Sequence, residues 1–269
     1  MVIVMGRLDG KVAVVTGAST GLGRSTAMLY AQEGAKVVVA DVRRDEANEV
    51  VEQIRGDGGQ AIFVPVDVSS ATEVQQMIAT TQREFGAIHI MTANAGIQGR
   101  GSGKRLEELT TPEIEEIMAV NFYGVVHCLQ HAVPAIRAAG GGAISVTTSV
   151  AAHYGYPVTP VYAASKHAVV GLVKSLSADV GPLIRVNAVS AGRMITQIET
   201  HTLEAKGIDP SEDGPHREYM TLGTEENQYT VNPRQVAYMH LFLVSDEASF
   251  VNGQAIIVDG GRTAVPASG

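Results

Sequence analysis

Tyr162 and Lys166 stand four positions apart, and Ser149 lies a short way upstream of both. On a helix, residues i and i+4 project from one face, so this spacing sets an ammonium beside a phenol. A free phenol has a pKa of about 10 and yields its proton poorly at neutral pH. A fixed positive neighbour favours the phenolate, and the pair becomes a usable acid and base. Tyr154 and Tyr156 compete for the role, but four residues on they meet Val158 and Pro160. Tyr-x-x-x-Lys arises by chance in many helices, so its weight depends on what else the chain carries.

A second motif supplies that weight. Thr16-Gly17-Ala18-Ser19-Thr20-Gly21-Leu22-Gly23 follows Lys11 to Val15, an apolar, β-branched run that reads as a buried parallel strand. It precedes Arg24 to Glu33, whose apolar spacing suits a helix that stops at Gly34. Strand, glycine-rich turn and helix make an anion site, because backbone N–H groups face a pyrophosphate that glycines allow close. The spacing is G-x-x-x-G-x-G, not the commoner G-x-G-x-x-G. A second strand, Lys36 to Ala40, ends in Asp41. A carboxylate there accepts from both ribose hydroxyls of an adenosine and repels a 2′-phosphate, so NAD is expected over NADP. Arg43 and Arg44 follow, either to reach a phosphate or to open the next helix as solvated charges.

These side chains need a scaffold that gathers them. Further strands are expected over Ala61 to Val66, Ile88 to Thr92, Ala143 to Thr148, Ile184 to Ala188 and Ala255 to Val258. Helices are expected over Arg44 to Arg55, Ala71 to Phe85, Tyr162 to Val180 and Pro233 to Val244. One long helix is expected from Thr110 to Ala139, opened by Thr110-Thr111-Pro112-Glu113 and closed by Gly140-Gly141-Gly142. This alternation predicts an α/β, doubly wound Rossmann fold, a parallel sheet of about seven strands with helices on both faces. Residues 1–269 show no repeat or second domain and are expected to form one unit. The irregular stretch is 196–232, rich in Gly, Pro and acidic residues, read either as a substrate lid or as a surface loop.

Composition narrows the function classes. Hydrophobic residues make up 45% of the 269 positions and charged residues 18%, a balance that supports a packed core. A formal charge of −8 argues against nucleic acid or an anionic membrane as the main partner. No apolar run approaches a membrane span, and Val2 to Met5 is too short for a signal-peptide core. A single cysteine, Cys128, forms no intrachain disulfide and reads as a buried small hydrophobe. The expectation is a cytoplasmic protein. His127 and His131 flank Cys128 at helical spacing without an obvious third ligand, so no metal is expected.

Taken in order, these motifs resemble the short-chain dehydrogenase/reductase family from Lys11 to Gly261. The carrying residues are Thr16 to Gly23, Asp67, Asn94-Ala95-Gly96, Asn121, Ser149, Tyr162, Lys166 and Val186 to Ser190. Phe242 to Ser249 and Asn252-Gly253-Gln254 through Gly261 complete the set. The resemblance implies hydride transfer between NAD(H) and a secondary alcohol or ketone, a small-molecule substrate. Tyr162 would be the general acid/base, Lys166 would lower its pKa and hold the nicotinamide ribose, and Ser149 would bind the substrate oxygen. Asn121 would shape its helix and hold a water that relays protons from Lys166.

Around the cofactor, the resemblance gives phosphate contacts to Gly17, Ser19, Thr20, Gly21, Leu22 and Gly23, and a ribose contact to Asp41. Asp67 and Val68 would cover the adenine, and Asn94, Ala95 and Gly96 would brace the pocket. The Met194 backbone would meet the carboxamide, and Thr196 a phosphate or the carboxamide. His153 falls where the family lines its substrate pocket, either to bind a second polar group or as a loop histidine. A homotetramer is implied, built on the helix of His127 and the one after Tyr162. One departure stands out: Ala191-Gly192 replaces the usual Pro-Gly, which is expected to loosen or re-angle the approach to the lid. Rival readings are an NADPH-dependent 3-oxoacyl-carrier-protein reductase, a non-catalytic NAD sensor or scaffold, and an epimerase or dehydratase.

Overall fold

The computed structural model describes residues 6–155, 159–194 and 232–264. Thr196, and all of the expected lid but Asn232, lie outside the described residues.

The strands are β1 (Val12–Thr16), β2 (Lys36–Asp41), β3 (Gln60–Pro65), β4 (Ile90–Ala93), β5 (Gly142–Ser149), β6 (Ile184–Ala191) and β7 (Ala255–Val258). The helices are α1 (Gly21–Gln32), α2 (Arg44–Gly56), α3 (Ala71–Phe85), α4 (Thr111–Met118), α5 (Gly124–Ala138), α6 (Pro160–Val180) and α7 (Pro233–Val244). Among the described residues the strands form one parallel sheet in the order β3-β2-β1-β4-β5-β6-β7. This is the doubly wound fold the β–α alternation predicts.

Alternation along each strand divides the core. Ala13 and Val15 face a cluster that takes Leu29 and Tyr30 of α1, Val50 and Ile54 of α2, and Leu241 of α7. Val14 faces the other cluster, with Met77 of α3, Leu129 of α5 and Val169 of α6. A strand covered on both faces must be apolar at every position, which is why β1 reads as an unbroken hydrophobic run. Cys128 sits in the second cluster as a buried apolar side chain, and burial pushes its thiol up to about 12.

The winding reverses between β1 and β4, so the crossovers leave these neighbouring strands in opposite directions and open a crevice at their carboxyl ends. The glycine turn after β1 and Asn94 after β4 meet there.

The expected single helix from Thr110 to Ala139 is interrupted. A π-helical turn, Ala119–Tyr123, separates α4 from α5 and contains Asn121. Periodicity misses it because one inserted residue leaves the apolar spacing on each side intact. Strand β6 also runs further than expected, to Ala191, which is buried and pairs with Ser149 of β5 and Val258 of β7. Ala191 is compatible with this strand position, where proline would supply no backbone donor; the approach to the lid that it was expected to alter lies outside the described residues.

Candidate active site

The glycine turn is shaped by close approaches. Gly17 adopts φ +62°, and a Cβ there would lie 2.9 Å from Ala95 Cα. At Gly23 a Cβ would drive into the Gly17 carbonyl. Only hydrogen fits at these points, and the result is a tight turn that lines the cavity and runs into the N-terminus of α1. The carboxylate of Asp41 closes one side: Oδ2 accepts from Ser19 N (3.0 Å) and Ser19 Oγ (2.7 Å), while Oδ1 accepts from Arg43 N (3.0 Å). The acid expected at the ribose thus also ties the end of β2 to the turn.

Asn94 braces the same turn from β4. Its Nδ2 donates to the carbonyls of Thr16 (2.9 Å) and Gly17 (3.2 Å), and its backbone N–H donates to Thr16 Oγ1 (3.0 Å). Asp67 accepts from Ser69 N (2.9 Å) and Ser69 Oγ (2.7 Å), folding back the loop that carries Val68. His127, on α5, lies 3.0 Å from the Val68 carbonyl through Nδ1 and so supports the loop that carries Val68.

The π-turn buries Asn121, whose carboxamide holds Ile97 and also donates to Ser165 Oγ (3.3 Å) on α6. Gly96 lies between two site groups: a Cβ there would stand 3.3 Å from both Asn121 Oδ1 and Lys166 Nζ. Lys166 is buried, with Nζ 5.7 Å from the centre of the Tyr162 ring and 3.4 Å from the Thr147 carbonyl. Burial lowers the ammonium from 10.5 to about 8, leaving it mostly charged at neutral pH and close to titration. Ser149 ends β5, where its Oγ accepts from Ala151 N at 3.2 Å.

A cavity of about 590 Å³ joins these parts. On its cofactor side it is lined by Gly17, Ser19, Thr20, Gly21, Leu22, Gly23, Asp41, Asp67 and Val68. On its other side it is lined by Asn94, Ala95, Gly96, Ser149, Tyr162, Lys166 and Met194. Asn121 stands behind this wall. The residues present suit a dinucleotide: the turn has no room for a Cβ at Gly17 or Gly23, and the Asp41 carboxylate lines the same cavity.

Of the two readings of His153, the structure shows the loop histidine, in an exposed turn. Its Nε2 lies 2.7 Å from Ser190 Oγ, and it does not line the cavity. Thr147 lines the cavity and was given no role from sequence. The available signal was Ser145-x-Thr147-x-Ser149, hydroxyls at period two and so on one face of the strand.

A parallel doubly wound sheet with a glycine turn at its switch point and a Tyr–Lys pair beside it defines a nicotinamide-dependent Rossmann protein. Comparison with known proteins agrees. A family model described as enoyl-(acyl carrier protein) reductase matches residues 17–263. Cyclohexanol dehydrogenase from Acinetobacter sp. (strain SE19) is 36% identical over 97% of this chain and 98% of its own. The 3-oxoacyl-[acyl-carrier-protein] reductase FabG of Thermotoga maritima is 34% identical over 95% and 98%. A short-chain type dehydrogenase/reductase from Mycobacterium marinum superposes with a TM-score of 0.81 at 32% identity, over 96% of this chain and 97% of that one. The chain belongs to the short-chain dehydrogenase/reductase family of oxidoreductases, which use nicotinamide cofactors. Among the described residues no helix is long and apolar enough to cross a membrane.

Proposed function

We propose that the protein transfers hydride between NAD(H) and a secondary alcohol or ketone, with Tyr162 as general acid/base. The convergence of Ser149, Tyr162 and Lys166 with the glycine turn and Asp41 on one cavity carries this reading. A bound nicotinamide supplies or accepts the hydride. Tyr162 gives its phenolic proton to the carbonyl oxygen in reduction and takes the proton of the alcohol in oxidation. Lys166 favours the phenolate through its charge and binds the nicotinamide ribose. Ser149 Oγ hydrogen-bonds the substrate oxygen and fixes it beside Tyr162. Asn121 keeps the π-turn open, and the water that relays protons from Lys166 is assigned there.

The glycine-turn residues Gly17 to Gly23 take the phosphates, Asp67 and Val68 the adenine, Asn94 to Gly96 and Met194 the nicotinamide half. Asp41 favours NAD because its carboxylate faces the position a 2′-phosphate would occupy. The assignment extends to one domain over 1–269, with 196–232 as the substrate lid and Thr196 as a contact to a cofactor phosphate or the carboxamide, in a cytoplasmic homotetramer.

A second reading, an NADPH-dependent 3-oxoacyl-carrier-protein reductase, draws on the FabG relative and on Arg43, which lines the cavity. Nicotinamide absorbance over a panel of secondary alcohols, cyclohexanol first, with NAD and NADP in parallel and Tyr162→Phe as control, separates the two. Turnover with NAD that the variant loses supports the proposal; turnover restricted to NADP supports the rival. Tight NADH binding without turnover of any panel member favours the sensor reading.

A further inference from the structure

Two buried polar groups left unused by this chemistry, Ser145 and His240, lie on one run of hydrogen bonds. His240 is fully buried on α7. Its Nδ1 lies 2.7 Å from Ser145 Oγ and its Nε2 lies 3.2 Å from Thr147 Oγ1. Thr147 Oγ1 donates to Asn94 Oδ1 at 2.9 Å, and Asn94 Nδ2 donates to the Thr16 and Gly17 carbonyls.

Counting protons sets the direction of the whole run. The Asn94 group facing two carbonyls must be its NH₂, so Oδ1 only accepts and takes the single hydroxyl proton of Thr147. Thr147 Oγ1 can then only accept from His240, so Nε2 carries the ring proton. Burial holds the ring neutral, with its pKa pushed down to about 3, which leaves Nδ1 as acceptor and Ser145 as donor. Protons therefore point from α7 through β5 and β4 into the glycine turn. The Thr147 carbonyl also receives Lys166 Nζ at 3.4 Å, so one residue is joined to both halves of the cavity.

We propose that His240 is a positioning residue for the dinucleotide site, orienting the Thr147 hydroxyl and, through Asn94, the peptide groups of the glycine turn. The proposal rests on the reading of that turn as the cofactor cradle. Leucine at 240 would suit the apolar surroundings but strand the Ser145 and Thr147 hydroxyls, and Thr147 would be free to turn its proton from Asn94. Glutamine supplies one donor and one acceptor at similar reach.

The test is the NADH dissociation constant, read by reduced-nicotinamide fluorescence, for wild type, His240→Leu and His240→Gln, with melting temperature measured alongside. His240→Leu should bind about five- to ten-fold more weakly, with kcat at saturating cofactor within about two-fold, and His240→Gln should recover most of the affinity. Should His240→Leu fail to fold, Thr147→Val carries the test and should show the same loss of affinity. Unchanged affinity in a folded variant overturns the proposal, as does a loss that follows melting temperature and that glutamine does not restore. Wild-type protein that binds no NADH overturns the cofactor reading itself, and this inference with it.

Discussion

Asn121 holds Ile97 at both ends of its carboxamide: Oδ1 accepts the Ile97 N–H at 2.8 Å, and Nδ2 donates to the Ile97 carbonyl at 2.8 Å. The side chain imitates a strand partner and fastens the π-turn to the chain leaving β4. Asparagine is the residue that can do both at this length. Asn121→Asp keeps the acceptor, loses the donor and sets a carboxylate against a carbonyl. We expect it to lose about 1–3 kcal/mol of stability by urea denaturation and to lower turnover by about ten-fold or more, since Asn121 Oδ1 and Lys166 Nζ both crowd Gly96.

Tyr162→Phe removes the acid/base and little else. Turnover should fall by about 10²- to 10⁴-fold while NADH binding stays within two-fold of wild type, by kinetics and fluorescence respectively. Lys166→Met should lose both turnover and cofactor affinity, because the proposed roles of Lys166 span proton transfer and ribose binding. Equal losses in the two variants would count against that dual role.

Asp41 decides the cofactor on the proposed reading. Asp41→Ala with Val42→Arg replaces a repelling carboxylate by a guanidinium, and the ratio of kcat/KM for NAD over NADP should fall by about ten-fold or more. Asp41 also accepts from Ser19 and Arg43, so this variant should melt lower than wild type. A preference unmoved by the change would transfer the discrimination to Arg43 or Arg44.

Three histidines make the fold acid-sensitive in one direction. Burial lowers the pKa of His89, His153 and His240 below the ordinary 6.5, and His89 Nδ1 accepts the Val12 N–H at 3.0 Å in its neutral form. Well above pH 6.5 the rings are neutral in both the folded and the unfolded chain, and this contribution to stability is fully present. As pH falls through this range the unfolded chain takes up protons that the native state resists, so stability falls as pH falls, by at most about 1.4 kcal/mol per pH unit for the buried His240 and by less for the more exposed His89 and His153. Urea midpoints at pH 7.5, 6.5 and 5.5 should decline, and His89→Gln should flatten the decline.

The strands and most helices were legible because burial on two faces writes itself locally, as in the apolar run of β1. The π-turn was not, since Ala119–Tyr123 preserves the apolar pattern on both sides and its cause lies across the molecule in Ile97. The sequence left His153 open between a substrate contact and a loop histidine, because its partner, Ser190 at the end of β6, lies 37 positions away and 2.7 Å off.

By itself the sequence determined the winding of the fold, the glycine turn and the side chains around it, because each depends on spacing within one strand, turn or helix. Tertiary structure decided how those pieces are held. The bonds from His240 to Thr147, Asn121 to Ile97 and Asp41 to Ser19 join residues 93, 24 and 22 positions apart. No local pattern encodes such a partner. Only the sheet order, which sets β4 between β1 and β5, brings the glycine turn, Asn94 and Thr147 within hydrogen-bonding distance.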